Sequence, residues 1–273
     1  MIRNSGPLGH RRRGVPHVCL RDGNSTGAGE HPHFECNPAV WAEHDSRYAL
    51  VVAGGKINDL DKAPVQYASL VIAADSGAEF LKKHNLAPDI ITGDFDSCDP
   101  ETISYFRNLG IEIISFRKDK DKTDTEIALD LALKRGFTTA VVTGAMRGSR
   151  LDHELANVFL IEYYARQGLD LILYSRDTVI FGIAGLDSEY QGDSYFNQGK
   201  RAFFGEHGDW VTILPVTYQA KGVTTSNLRF PLYDATLQRG STLGVSNEML
   251  GKRGRVSLSE GFVVIVLSSH TLR

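Results

Sequence analysis

Two aspartates at short spacing carry the first chemical signal in this chain. In Asp89-Ile90-Ile91-Thr92-Gly93-Asp94-Phe95-Asp96-Ser97 they stand two residues apart, behind an apolar run. The run reads as the end of a buried strand, with Gly93 letting the backbone turn sharply. Residues two apart in extended chain share a face, so Asp94 and Asp96 point the same way. Like charges that close repel unless a cation lies between them. A hard ion with oxygen ligands, most simply Mg²⁺ carrying a phosphate ester, meets that need. The competing reading is a surface turn with two solvated acids, since Asp and Gly are ordinary turn residues.

A second charged cluster, Lys118-Asp119-Lys120-Asp121-Lys122-Thr123-Asp124-Thr125-Glu126, precedes a helical pattern. Asp124 falls in that helix's first turn, where free N–H groups and the helix dipole favour a carboxylate. Two readings stand: Asp124 and Thr123 serve only the helix start, or Asp124 completes a cation site with Asp94 and Asp96 while Lys120 or Lys122 meets phosphate oxygens. Arg150-Leu151-Asp152-His153 opens another helix after a glycine-rich turn. Arg150 there can grip a phosphate bidentately beside the helix N-terminus. Asp152 as a helix cap and His153 as a structural histidine are the plainer alternatives. No P-loop and no G-x-G-x-x-G fingerprint occur, which removes P-loop enzymes and ordinary NAD-binding proteins.

Such residues need a scaffold. Apolar runs over 49–53 and 69–74 end in Gly54-Gly55 and Asp75-Ser76-Gly77. They are apolar on both faces, as central strands of a parallel sheet are. Residues 78–84 fit a short helix capped by Asp75 or Ser76. A helix over about 100–108 stopped by Gly110, a strand over 111–116, a helix over 124–134 ended by Gly136, a strand over 140–143, a helix over about 152–166 and a strand over 169–174 follow. This alternation predicts an α/β domain over 47–176, a doubly wound, mostly parallel sheet. Ligands bind such sheets at the carboxyl ends of the strands. Gly54, Gly55, Asp75, Gly77, Asp94, Asp96, Asp124, Gly144 and Arg150 all fall at that end. After Ser175 the helical pattern stops. Short strands over 178–181, 202–204, 210–214, 222–225, 256–258 and 262–267 predict a small all-β domain, sandwich or barrel-like, over 177–273, with a polar exposed loop over 184–200.

The chain of 273 residues suits two domains. Its 42% hydrophobic and 23% charged residues fit an ordinary globular interior. A formal charge of -3 gives no reason to expect nucleic acid or an anionic membrane as partner. No apolar run approaches the roughly 20 residues a bilayer span needs. Cys19, Cys36 and Cys98 are scattered, without metal or redox spacing, so a reducing, cytoplasmic compartment is expected. Residues 1–46 hold Arg11-Arg12-Arg13 but almost no hydrophobic periodicity, and no apolar segment follows the arginines as a secretory signal requires. They read as a disordered extension.

Taken together, the motifs resemble the thiamine pyrophosphokinase family over 48–267. The carriers are Ala73-Ala74-Asp75-Ser76-Gly77-Ala78, Pro88 through Ser97, Lys120-Asp121-Lys122-Thr123-Asp124, Gly144-Ala145 through Arg150-Leu151-Asp152-His153 to Asn157, and Val245-Ser246-Asn247-Glu248. The resemblance implies transfer of the pyrophosphoryl group of ATP to the hydroxyl of thiamine, with Mg²⁺, and a homodimer holding thiamine near its interface. It implies that Asp94, Asp96 and Asp124 handle Mg²⁺ and pyrophosphate, with Arg150 also catalytic. Gly54, Gly55, Asp75, Gly77, Lys120, Lys122, Thr123, Gly144, Asp152 and His153 form the nucleotide site on this view, while Phe230, Ser246 and Asn247 approach the vitamin. Phe230 as β-domain core and Ser246-Asn247 as a hairpin turn remain the bland alternatives. Three departures stand out: Asp75-Ser76-Gly77 replaces the family's Asp-Gly-Gly, the turn with Met146-Arg147-Gly148-Ser149 is one residue longer, and Asn227 stands where Gly is favoured. Rival readings are a pyrophosphokinase for another heterocyclic alcohol such as a hydroxymethylpterin, a metal-dependent nucleotide-sugar transferase, and a nucleotide sensor without turnover.

Overall fold

The computed structural model describes residues 47–57, 63–117, 121–186, 190 and 198–270. The expected extension over 1–46, with Cys19 and Cys36, lies outside them. So do Lys118, Asp119 and Lys120 and most of the loop expected over 184–200.

In chain order the first part runs β1 (Ala49–Val52), α1 (Ala63–Tyr67), β2 (Leu70–Ala74), α2 (Gly77–Lys83), β3 (Ile90–Gly93), α3 (Pro100–Asn108), β4 (Glu112–Ser115), α4 (Asp124–Lys134), β5 (Thr139–Thr143), α5 (Leu151–Ala165) and β6 (Asp170–Tyr174). The six strands are parallel and lie in the order β6-β5-β1-β2-β3-β4. β1, β2, β5 and β6 are buried at every position, which is why they read as unbroken apolar runs. α2 and α3 pack on one face through Leu81, Ile103 and Phe106, and α4 and α5 on the other through Leu129, Ala132, Ile161 and Tyr164. The sheet is thus doubly wound, and the order in which strands are added reverses between β1 and β5.

Local signals set the helix limits. Asp99 caps α3 by accepting from the Glu101 N–H at 3.0 Å, with Pro100 in the first helical position. Gly110 follows at φ +75. Thr123 caps α4, its Oγ1 accepting from the Glu126 N–H at 3.2 Å.

The second part comprises β7 (Thr178–Ala184), β8 (Lys200–Phe204), β9 (Trp210–Pro215), β10 (Gln219–Ser226), β11 (Ala235–Gln238), β12 (Asn247–Glu248), β13 (Arg253–Ser257) and β14 (Phe262–Ser268). The expected antiparallel β region is present, but one of its layers continues the first sheet. β7 pairs antiparallel with β6 through Leu173–Ile180 and Tyr174–Val179, and β14, β9 and β12 follow it to make ten strands. A four-stranded sheet, β11-β10-β13-β8, covers this extension, so that Phe203, Val223, Leu237 and Val256 share a core with Phe181, Ile213, Val263 and Ile265. The break at 176/177 therefore falls between hydrogen-bonded neighbours. β11 and β12 escaped the sequence pattern because strands this short show too little alternation.

A buried ion pair ties the layers. Arg201 of β8 donates from both terminal nitrogens to the two carboxylate oxygens of Asp170 in β6, each at 2.9 Å, and to the Gly182 carbonyl at 3.0 Å. Its guanidinium lies 4.6 Å from the Phe181 ring centre. Among the described residues no helix is long and apolar enough to cross a membrane.

Candidate active site

The carboxyl edge of the parallel strands opens into a cavity of about 350 Å³. Its walls come from Ala53 to Gly55 after β1, Ala74 to Ser76 after β2, Asp96 and Ser97 after β3, the first turn of α4, the turn after β5, and α5. It straddles β1 and β5, where the strand order reverses, which is where open α/β sheets bind ligands. Two glycines bring these walls together. Gly55 donates its N–H to the Gly144 carbonyl at 3.0 Å, and a Cβ on Gly55 would collide with that oxygen. Gly77 does not line the cavity; a Cβ there would strike the Val52 carbonyl, so its role is to let α2 start against β1.

The acid pair gathers by a different route from the one its spacing suggested. Gly93 ends β3 and stays inside the sheet, paired with Ser115; a Cβ on it would crowd the Asp75 backbone at 3.1 Å. The turn is made by Phe95, at φ +62, and is closed by the Asp96 N–H donating to Asp94 Oδ1 at 3.1 Å. Carboxylate oxygens of Asp75, Asp94 and Asp96 lie within 4.8 Å of one another. The convergent trio therefore contains Asp75 where Asp124 was expected. Asp124 lines the cavity as well, and its charge still acts on Asp75. Burial pushes the Asp75 carboxyl above its ordinary pKa, and the charges of Asp124, Asp94 and Asp96 push the same way, against a backbone hydrogen bond from Ser76 that pulls it down. Oδ1 of Asp75 is buried and has no hydrogen-bond partner among the described residues. An all-oxygen donor set with an unsatisfied buried oxygen fits a hard divalent cation such as Mg²⁺.

Other expected residues divide. Thr123, Gly144, Arg150 and His153 line the cavity with Gly54 and Gly55. Lys122 does not: its ammonium is held by Asp130 at 2.8 Å and Glu126 at 3.1 Å, because both carboxylates face it from α4. Asp152 is neither a cap nor a wall. It grips Arg150, accepting from Nε at 2.9 Å, and that guanidinium holds its carboxyl down to about 2. Arg150 is exposed and already carries a counter-charge that an anion would have to displace. Lys120 lies outside the described residues. The composition of the turn after β2 causes no difficulty, since Ser76 has helical angles that any residue adopts. Asn227 takes φ +59, which Asn tolerates.

In the β region Phe230 is 58% exposed, so it is no core residue. Asn247 is buried and works as a clamp, accepting from the Phe230 N–H at 2.9 Å and donating to the Phe230 carbonyl at 2.6 Å. Ser246, exposed at φ +60, hands its N–H to Thr212. None of the three lines the acidic cavity. Ser97, Ser149, Glu154 and Asn157 do line it and were not singled out from the sequence. The spacing of Asn157, four residues after His153 and three after Glu154, was the available signal.

A glycine-walled acidic cavity at the carboxyl edge of a doubly wound sheet, joined to an antiparallel sandwich, defines an enzyme of the phosphoryl-transfer class. Family models narrow the class. Residues 62–173 match the thiamin pyrophosphokinase catalytic domain and residues 200–263 the thiamin pyrophosphokinase vitamin B1 binding domain. The two matches cover well over half of the chain, which belongs to the thiamine pyrophosphokinase family of enzymes. The chain is similar to the thiamine pyrophosphokinase of Bacillus subtilis, at 25% identity over 222 residues, covering 80% of this chain and 97% of that one. It is 27% identical over 232 residues to thiamine pyrophosphokinase 1 of Oryza sativa subsp. japonica, covering 77% and 83%. The crystal structure of thiamin pyrophosphokinase from Geobacillus thermodenitrificans superposes with a TM-score of 0.68 at 27% identity, covering 83% of this chain and 99% of that one. These matches favour the thiamine enzyme over the pterin, nucleotide-sugar and sensor readings.

Proposed function

We propose that this cavity is where ATP gives its terminal pyrophosphoryl group to thiamine. The observation that carries the reading is the convergence of Asp75, Asp94 and Asp96 at the carboxyl ends of β2 and β3, beside the reversal point between β1 and β5. These three would hold Mg²⁺, with Asp124 beside them; when bound, the ion neutralises phosphate charge and polarises the phosphoryl group. Gly54, Gly55 and Gly144 let the triphosphate approach backbone closely, and the start of α5 adds N–H donors. Arg150 takes up phosphate charge by exchanging Asp152 for the substrate. The thiamine hydroxyl oxygen forms a bond to the β-phosphorus while the bond from that phosphorus to the α–β bridging oxygen breaks. AMP leaves with the bridging oxygen, and the hydroxyl proton passes to Asp124, which lies outside the convergent trio. Little covalent work falls to the protein; it aligns the groups and balances charge.

The cavity takes its walls only from residues 53–157, whereas Phe230 stands exposed in the β region. A vitamin stacked on Phe230 is therefore best supplied from a second copy, in a homodimer. Exposed Leu151, Leu155 and Phe159 along α5, and Tyr233 and Leu243 in the β region, are apolar surface of the kind such assembly covers. We place the reaction in the cytoplasm, where scattered cysteines without metal or redox spacing stay reduced. The test is direct: the purified chain with ATP, Mg²⁺ and thiamine should release AMP and thiamine diphosphate in equal amounts. Release of ADP, or AMP release that does not depend on thiamine, would refute the reading.

A further inference from the structure

The turn between β5 and α5 forms one wall of the cavity. Gly148, Ser149 and Arg150 line the cavity, but Arg147 does not. At φ +63 its backbone is left-handed, and its guanidinium is turned to Asp177, donating to Oδ2. Asp177 is nearly buried between β6 and β7. Its Oδ1 accepts from Ser175 Oγ at 2.9 Å, and its carbonyl accepts from the Ser269 N–H at 2.9 Å, just past β14. On the other side, Asn157 donates from Nδ2 to the Ala145 carbonyl at 2.9 Å. The wall is thus held at 145 and 147, and the three residues that follow face the ligand space.

We propose that Arg147 is a positioning residue for the nucleotide. Its ion pair with Asp177 holds the turn so that Gly148, Ser149 and Arg150 meet the triphosphate. An ordinary surface pair contributes little. This one differs because its carboxylate is buried and fixed by other groups, so it provides a rigid anchor rather than a second mobile side chain. Without the anchor the turn has more conformations to lose on binding. The proposal rests on the cavity being the ATP site, and it concerns the shape of that site rather than its charge.

The test separates shape from charge. In the full chain, Arg147→Ala and Asp177→Asn should each weaken ATP binding, measured calorimetrically with Mg²⁺, by about ten-fold. The KM for thiamine should stay within about two-fold. Amide exchange over 148–150 should quicken, and Arg147→Lys should recover part of both effects. Arg147 has a side chain 48% exposed, so its variants keep the fold even if Asp177→Asn does not. If Arg147 only attracted phosphate through its charge, Asp177→Asn would tighten ATP binding; that result overturns the proposal. So does unchanged exchange over 148–150 in Arg147→Ala, or an equal rise for ATP and thiamine. A wild-type chain that binds ATP but forms no AMP sinks the transfer reading alone, while ATP affinity and exchange still decide on Arg147. A wild-type chain that binds no ATP overturns both.

Discussion

Asp75 and Asp170 belong to opposite edges of one sheet and have opposite surroundings. Asp170 opens β6 at the amino edge, and both its oxygens are met by the buried Arg201. Asp75 follows β2 at the carboxyl edge, among Asp94, Asp96 and Asp124, with one buried oxygen unpartnered among the described residues. A charge withdrawn from water is costly unless paired, and the cost grows when its neighbours share its sign. At the amino edge the pairing is internal and closes the seam between the two sheets. At the carboxyl edge the missing partner has to come from outside. Like-charge crowding thus marks the site, and a satisfied buried charge marks structure.

That contrast can be broken from either side. The largest effect is expected from Asp94→Asn or Asp96→Asn, each lowering pyrophosphoryl transfer by about a thousandfold at saturating Mg²⁺. Circular dichroism should be unchanged. Near-normal rates in either variant would remove that carboxylate from the site.

Next comes Arg201→Ala, which strands a buried carboxylate and should cost about 3–5 kcal/mol in urea unfolding. Replacing the pair together, Arg201→Met with Asp170→Leu, should recover most of that loss. A double variant as unstable as the single one would show that the pair does more than neutralise charge.

The smallest effect sharpens the comparison. Asp75→Asn relieves repulsion, so the metal-free protein should melt about 2–4 °C higher at neutral pH even though activity falls. The sign of its pH dependence follows from the raised pKa of Asp75. The folded state binds this proton more tightly than the unfolded chain, so the group's destabilisation is present above the folded pKa and fades as the pH drops through it. The melting gap between variant and wild type should narrow on acidification. A gap that widens would mean that Asp75 is held as a favourable anion.

Much of the α/β part was readable directly. Helix α4 carries its cap at Thr123, its apolar face and its stop at Gly136 within a few turns, and it forms over Asp124–Lys134 as expected. The gathering of polar residues at the carboxyl ends of the strands was legible too, because each strand ends where its apolar run meets Gly or Asp. What escaped were the partnerships and turn angles of individual residues. Lys122 was open to phosphate in the sequence but is taken by Asp130 and Glu126. Asn247 was expected at the vitamin but holds the Phe230 backbone. Phe95 makes the turn assigned to Gly93, since bulky residues at positive φ leave no sequence signal.

By itself, the amino-acid order determined the alternation of strands and helices, their ends, the edge at which the acids collect and the family. Periodicity and capping depend on neighbours within a turn or two, so they can be read along the chain. Only the tertiary structure decided that β7 continues the parallel sheet, that Asp75 joins Asp94 and Asp96, and that Arg147 turns to Asp177. Each of those depends on strand order and on which charge lies across a few ångströms of space. No local pattern encodes that distance.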